Sequence, residues 1–188
     1  ETIIVRQQDS GIPFVTADIK PLAVWDEVLP PARRVSREAM IAAANGYFDT
    51  LQLNDGTLHV GFTDDCNRRE NGKQSTNLKD PDLDAIWRLG CADQFRLGAY
   101  RYDDRLRDRR FLAVDEERGI VLAGGFIDHE GRLGEIRLTD GTLRTTHRCA
   151  DASTSRIEVG AANRRSSSLR SVASASRKDS AGLAMLAA

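Results

Sequence analysis

The sequence predicts an α+β fold: consecutive antiparallel strands in one sheet, with helices on one of its faces. Three observations carry this expectation. Residues 36–51 repeat apolar side chains at three- and four-residue spacing, the signature of one helical stripe. From Ala99 the period falls to two, and the apolar run Ile120–Ile127 returns after the acidic, glycine-closed segment Asp115–Gly119. All eleven aromatic residues lie at or before Phe126. The last 62 residues therefore bury little apolar surface to offset the entropy of ordering them.

The elements follow in chain order. Residues 1–20 mix β-formers with a Gly-Ile-Pro break at 11–13, and read as one or two short strands or an extended arm. Pro30-Pro31 stops regular structure after the short apolar stretch 25–29. Ser36 has N-cap chemistry and Glu38 sits in the first turn of the helix it opens. Met40, Ala43, Ala44, Tyr47, Phe48 and Leu51 form its stripe, and Asn54-Asp55-Gly56 ends it. His59–Phe62 is a short strand, and 64–72 is polar and turn-rich. A second helix is expected from Asp80-Pro81-Asp82 through Ile86, Trp87 and Cys91 toward Phe95, stopped by Gly98. Tyr100 to Val114 and Ile120 to Ile127 then make a hairpin, and Ile136 and Leu138 begin a third strand. The expected organisation is an arm over 1–35, an α+β domain over 36–140 and a disordered Ser/Arg/Ala-rich tail over 141–188.

Charge narrows the function classes. The chain carries a net charge of −1, divided into −6 for 1–140 and +5 for 141–188. An acidic folded part argues against nucleic acid as a partner, because that affinity depends on neutralising phosphates. No apolar run approaches the roughly 18 residues of a membrane span, so no membrane partner is expected. No signal-peptide pattern is visible, and the chain starts at Glu1 without Met, so the compartment stays open, cytoplasmic or exported. Cys66, Cys91 and Cys149 show no zinc spacing, and neither a metal nor a cofactor is expected. Cys66 and Cys91 are either bonded, in an exported chain, or two buried thiols.

Three separated blocks are familiar in order. The first is Ala44-Asn45-Gly46-Tyr47-Phe48-Asp49 with Asn54-Asp55-Gly56. The second is Cys66-Asn67-Arg68-Arg69-Glu70-Asn71-Gly72. The third runs from Arg107-Asp108-Arg109-Arg110-Phe111 through Asp115–Gly119 to Phe126-Ile127-Asp128-His129. Together they resemble an uncharacterised branch of the SnoaL-like, or nuclear transport factor-like (ketosteroid isomerase-like), superfamily. The resemblance implies a cone-shaped, curved antiparallel sheet with helices packed on its concave face and a small-molecule pocket inside. It also implies pairing of two copies through the sheet. The family pattern continues with two more long, alternating apolar strands, which the text after His129 lacks, so C-terminal strands are expected to be missing. A shift of reading frame near 140–145 would account for that, leaving the edge of the Ile120–Ile127 strand bare.

For chemistry, the resemblance implies that the segment after the first helix borders the pocket. Asp65 and Glu70 are the candidate general bases and Asn71 a donor to an oxyanion. Against this stands a plain turn at Asn71-Gly72 and a surface ion pair between Arg68 and Glu70, worth about 0.5 kcal/mol. Asp128 and His129 alternate at the end of the apolar strand, one facing each way, and His129 is a natural proton shuttle. Tyr47 and Tyr100 or Tyr102 are candidate phenol donors, Tyr47 being otherwise a core residue with a wet tip, and Arg68, Phe126 and Asp128 are candidate substrate contacts. Arg105, Arg107 and Arg109 either receive an anion or lace the hairpin through Asp103, Asp104 and Asp108. The reading that unites these residues is a cofactor-free proton-transfer enzyme, isomerase, dehydratase or lyase, acting on a small hydroxylated or carbonyl compound. The alternatives are a non-catalytic binding or dimerisation module and an inactive, frameshifted copy.

Overall fold

Ser36 begins the main helix in the way its sequence dictates. Its Oγ accepts a hydrogen bond from Ala39 N–H at 3.3 Å, which caps α1, Arg37–Leu51. Glu116 adds a second cap, its Oε1 accepting from Arg37 N–H at 2.7 Å. In this computed structural model the described residues are 22–70, 73–129, 134–145, 153–165, 168–172 and 182–186, the last three segments as backbone. The expected N-terminal strands or arm over 1–20 lie outside the described residues. Before α1, single 3-10 turns span Ala23–Trp25 and Pro31–Arg33. Proline at 31 therefore starts a turn where the sequence reading only stopped one, since its fixed φ suits a first helical position.

The chain then forms β1 (Gly61–Phe62), the small hairpin of β2 (Arg69–Glu70) and β3 (Lys73–Gln74), α2 (Ala85–Arg88) and α3 (Cys91–Arg96). The single helix expected over 80–95 is two short pieces, because the backbone is extended at Leu89 and Gly90. The long hairpin is β4 (Arg105–Asp115) with β5 (Ile120–His129), antiparallel, turned through 116–119 as expected. Tyr100 and Tyr102 precede β4 in a turn and are not in the strand. Register slips between Arg107 and Arg110, at the positive φ of Asp108 (53°). Gly125 lies opposite that bulge, where a Cβ would stand 3.3 Å from the Arg107 carbonyl oxygen, which explains the glycine in an otherwise apolar strand.

Helix α1 packs on β4–β5. Met40, Ala44, Tyr47, Phe48 and Leu51 meet Phe95, Leu106, Val121, Ala123 and Ile127 in one buried cluster. Five of the six residues in the expected stripe are buried, with Ala43 packed at its edge. Gly46 lets the helix approach the next segment: a Cβ there would stand 2.6 Å from the His59 carbonyl oxygen. The fold is thus an α+β mix of helices and mainly antiparallel strands, although the expected all-antiparallel sheet is not seen, because two pairings at its C-terminal side are parallel.

Past residue 129 the sequence expectation and the structure differ. Residues Glu135–Arg137 (β6) pair with Leu143–Thr145 (β7) as a separate hairpin and do not add a third strand to the main sheet. That hairpin straddles the expected boundary at 140. The backbone of Ser153–Arg165 (β8) runs antiparallel along β5, on the edge that the sequence reading left bare. Ser168–Val172 (β9) pairs antiparallel and Gly182–Leu186 (β10) parallel with β8, and β1 pairs parallel with β9. Backbone pairing needs no aromatic content, which is the composition signal the tail lacks. No described helix is long and apolar enough to cross a membrane.

Candidate functional site

A disulfide and a helix bring the polar block 65–77 against the core. Cys66 and Cys91 are bonded, Cα atoms 5.8 Å apart, and both are buried. The bond ties the segment before β2 to the first residue of α3. Asn77 Nδ2 donates to the Cys66 carbonyl at 2.8 Å, and Arg68 N–H donates to Thr76 Oγ1 at 2.8 Å. Ser75 N–H returns to the Arg68 carbonyl at 2.8 Å. Arg68 is thereby fixed with its side chain directed inward, 2% exposed.

Four groups converge on that guanidinium. Nη1 donates to Gln94 Oε1 at 2.6 Å and to the Tyr100 phenol oxygen. Nη2 donates to Glu70 Oε1 at 2.7 Å, an oxygen that also accepts from Ser75 Oγ at 3.2 Å. Tyr100 O–H donates to Gln94 Oε1 at 3.3 Å. The guanidinium carbon stands 4.9 Å from the Phe95 ring and 4.6 Å from the Tyr100 ring, close enough for cation–π attraction. Burial by itself works against the Arg68 charge, but the oxygens of Tyr100, Tyr47 and Glu70 outweigh it and hold the group protonated. Burial raises the Tyr100 phenol above its ordinary range, with Arg68 pulling the other way, so the phenol is neutral at physiological pH. Tyr102 is likewise raised, first by burial and then by Asp103.

The surrounding elements hold this cluster in register. Gln94 Nε2 donates to the carbonyls of Ser75 (2.5 Å) and Ile86 (2.8 Å), so α3 grips both flanks. Asn54, at the end of α1, donates to the Thr50 and Phe95 carbonyls and accepts from Tyr100 N–H at 3.4 Å. Rings of Tyr47, Phe62, Phe95 and Tyr100 line up beside it, with neighbouring centroids 5.4–6.2 Å apart.

Of the residues singled out from sequence, the structure brings together Arg68, Glu70 and Tyr100, with Tyr47 in the adjoining aromatic wall. The Arg68–Glu70 pair is real but is no surface pair, because the side chains are 2% and 14% exposed. Asp65 sits apart in environment, exposed on the turn at 64–65. Asn71 lies outside the described residues, and so does the His129 side chain. Asp128 and Phe126 belong to another cluster. Asp128 accepts from Arg105 (2.7 and 2.8 Å) and Arg107 (3.0 Å), and the Arg107 guanidinium lies 4.9 Å from the Phe126 ring. The hairpin is laced as the plain reading expected, with Asp108 and Asp128 pairing with Arg105 and Arg107. Arg109 leaves that face at the bulge and pairs with Asp49 of α1 at 2.6 Å. No cluster of three or more His, Cys, Asp or Glu suited to a metal occurs among the described residues.

Sequence reasoning missed Gln94, Ser75 and Thr76. Gln94 carried a usable signal. It falls on the apolar side of its helix, between Cys91 and Phe95, where a polar side chain must find buried partners. Among known proteins, the model of a family described as a domain of unknown function, DUF8021, matches residues 33–165. No curated protein and no solved structure matches.

Proposed function

We propose that this chain, which belongs to the DUF8021 family, is a SnoaL-like small-molecule pocket protein that moves protons without a cofactor. The cone-shaped sheet with helices on its concave face is part of the same reading. So is the substrate class, a small hydroxylated or carbonyl compound undergoing isomerisation, dehydration or cleavage.

One observation carries the reading: a carboxylate, a neutral phenol and an amide meet on one buried guanidinium beside an aromatic wall. Glu70 is the base that takes a proton from the carbon next to a carbonyl. Tyr100, kept neutral by burial, donates to the carbonyl oxygen as it gains charge. Arg68 positions both and stabilises that charge, in a setting that water screens poorly. Asp65, being exposed, suits proton exchange with solvent rather than contact with substrate. His129, Asn71, Phe126 and Asp128 keep the roles the resemblance implies for them only as proposals.

The test is exchange of the α-protons of a simple ketone, acetophenone, for deuterium, followed by NMR. Glu70→Gln should slow it on the order of 100-fold. Exchange at an unchanged rate in that variant removes Glu70 from the mechanism.

One observation favours a second reading. Within the cluster the hydrogen bonds run between protein groups, Tyr100 giving its proton to Gln94 while receiving from Arg68. Such closure also suits the polar core of a non-catalytic binding module, or of a homodimer formed through the sheet. That reading gains if Glu70→Gln lowers stability and the wild-type protein exchanges no ketone protons above background. The frameshifted-copy reading has its own check, translation of the other two frames past 140–145. The family match to residue 165 supports a chain read in frame to that point.

A further inference from the structure

Two guanidinium nitrogens beside the tyrosine pair are buried without a hydrogen-bond partner: Nε of Arg68 and Nη1 of Arg144. Buried donors are nearly always satisfied, so two orphans in one neighbourhood call for a cause. Geometry puts Arg144 in that neighbourhood. It opposes Ile136 in the β6–β7 hairpin, and directly opposed residues of an antiparallel pair share a face. Ile136 is 4% exposed, in the small cluster that packs against Tyr100 and Tyr102. Arg144 therefore meets the tyrosine pair from the hairpin, while Arg68 meets Tyr100 from the opposite element, 4.6 Å from its ring. The Tyr100 phenol responds electrostatically to both arginines, and that of Tyr102 to Arg144.

Acidic groups stand with the arginines here: Glu70 is paired with Arg68 at 2.7 Å, and Asp103 acts on the Tyr102 phenol. A cluster balanced in this way would be driven out of balance by an anionic guest. Two spare N–H donors, however, ask for acceptor oxygens. The Tyr100 and Tyr102 rings, 6.5 Å apart and tilted 50° to each other, offer an apolar contact.

We propose that Arg144 is a ligand-binding residue, and that Arg144 Nη1 and Arg68 Nε donate to the oxygen of an uncharged carbonyl compound seated against Tyr100 and Tyr102. This rests on the small-molecule reading above and names its substrate class and a residue that nothing else pointed to. An uncharged carbonyl supplies the lone pairs the donors lack without adding a charge.

The experiment follows the arginine Nε–H resonances of the full chain by ¹⁵N-edited NMR while acetophenone, and separately benzoate, is titrated in. Acetophenone should move the Arg68 Nε–H signal in the wild type whether or not that protein exchanges the ketone's protons, so failure of the proton-transfer reading is told apart from failure of this one. Arg144→Met, which keeps the aliphatic stem, should weaken acetophenone on the order of tenfold. Arg144→Lys should recover part of that loss. Because Arg144 is only half-buried, circular dichroism of both variants is expected to match the wild type. The proposal is overturned by unchanged affinity in Arg144→Met, by no movement of the Arg68 signal with acetophenone, or by benzoate binding more tightly than acetophenone.

Discussion

The contact between α1 and the β4–β5 hairpin and the segment from Cys66 to Tyr100 are held by different forces. The first is a cluster of Met40, Phe48, Leu51, Val121, Ile127 and their neighbours, in which any well-shaped apolar group contributes. The second contains strands of two residues and helices of four and six. It closes instead on one disulfide and on Arg68, Gln94, Ser75 and Thr76, each buried and polar. Apolar burial is tolerant of shape, whereas a buried hydrogen-bonded charge is not. A sequence that lacks long elements can thus still present a rigid polar centre once its buried charge is held by fixed partners.

The largest expected effect breaks the comparison at its sharpest point. Arg68→Ala strands the Glu70 carboxylate in a site 14% exposed and should cost about 3–5 kcal/mol of stability. Phe48→Leu, a milder change that keeps an apolar side chain in the apolar cluster, should cost about 1–2 kcal/mol. Urea unfolding of both variants checks the contrast, and equal costs would erase it. Next comes the staple. Replacing Cys66 and Cys91 together by Ala opens a 25-residue separation and should cost about 3 kcal/mol. Amide exchange should accelerate across 66–96 far more than across 40–51.

A smaller effect separates the regions by pH. The folded-state pKa values of Tyr100 and Tyr102 are raised above their ordinary 10.0, by burial first. The stability they contribute is fully present below pH 10 and is lost as pH climbs, because the unfolded phenols ionise first. The loss should reach at most about 1.4 kcal/mol per phenol at pH 11. Tyr100→Phe should flatten the alkaline limb of a stability–pH curve, while Phe48→Leu should leave it unaltered. Least of all, Ser36→Ala removes one cap of α1 at a cost of about 1 kcal/mol, read as a shift in the urea midpoint.

The two regions also differed in how far the sequence revealed them. The first helix was legible almost residue by residue, because Ser36 and the spacing from Met40 to Leu51 are local signals that tertiary packing only reinforced. The turn 115–119 was equally legible, with an acidic stretch closed by glycine between two period-two runs. The second region hid for physical reasons. Its order comes from contacts 25 to 32 residues apart, such as Cys66 with Cys91 and Arg68 with Tyr100, which no local pattern encodes. Gly90 split the expected second helix for the same reason, since the bonded Cys91 starts a helix of its own. Beyond 140, the period-two text Arg156-Ile157-Glu158-Val159 was there to be read, but Ser and Arg composition masked it. Of the candidate site, Arg68, Glu70 and Tyr100 were found as residue types, whereas the depth of Arg68 was not. A charge that is normally solvated gives no sign in sequence that it will be enclosed.

A double-mutant cycle between Arg68→Met and Glu70→Gln, measured by urea unfolding, tests most directly whether the second region is organised around that buried charge. The account predicts that the double variant is more stable than the sum of the single losses by at least about 1 kcal/mol, because removing both charges leaves neither one stranded. Losses that simply add, within about 0.5 kcal/mol, would contradict it.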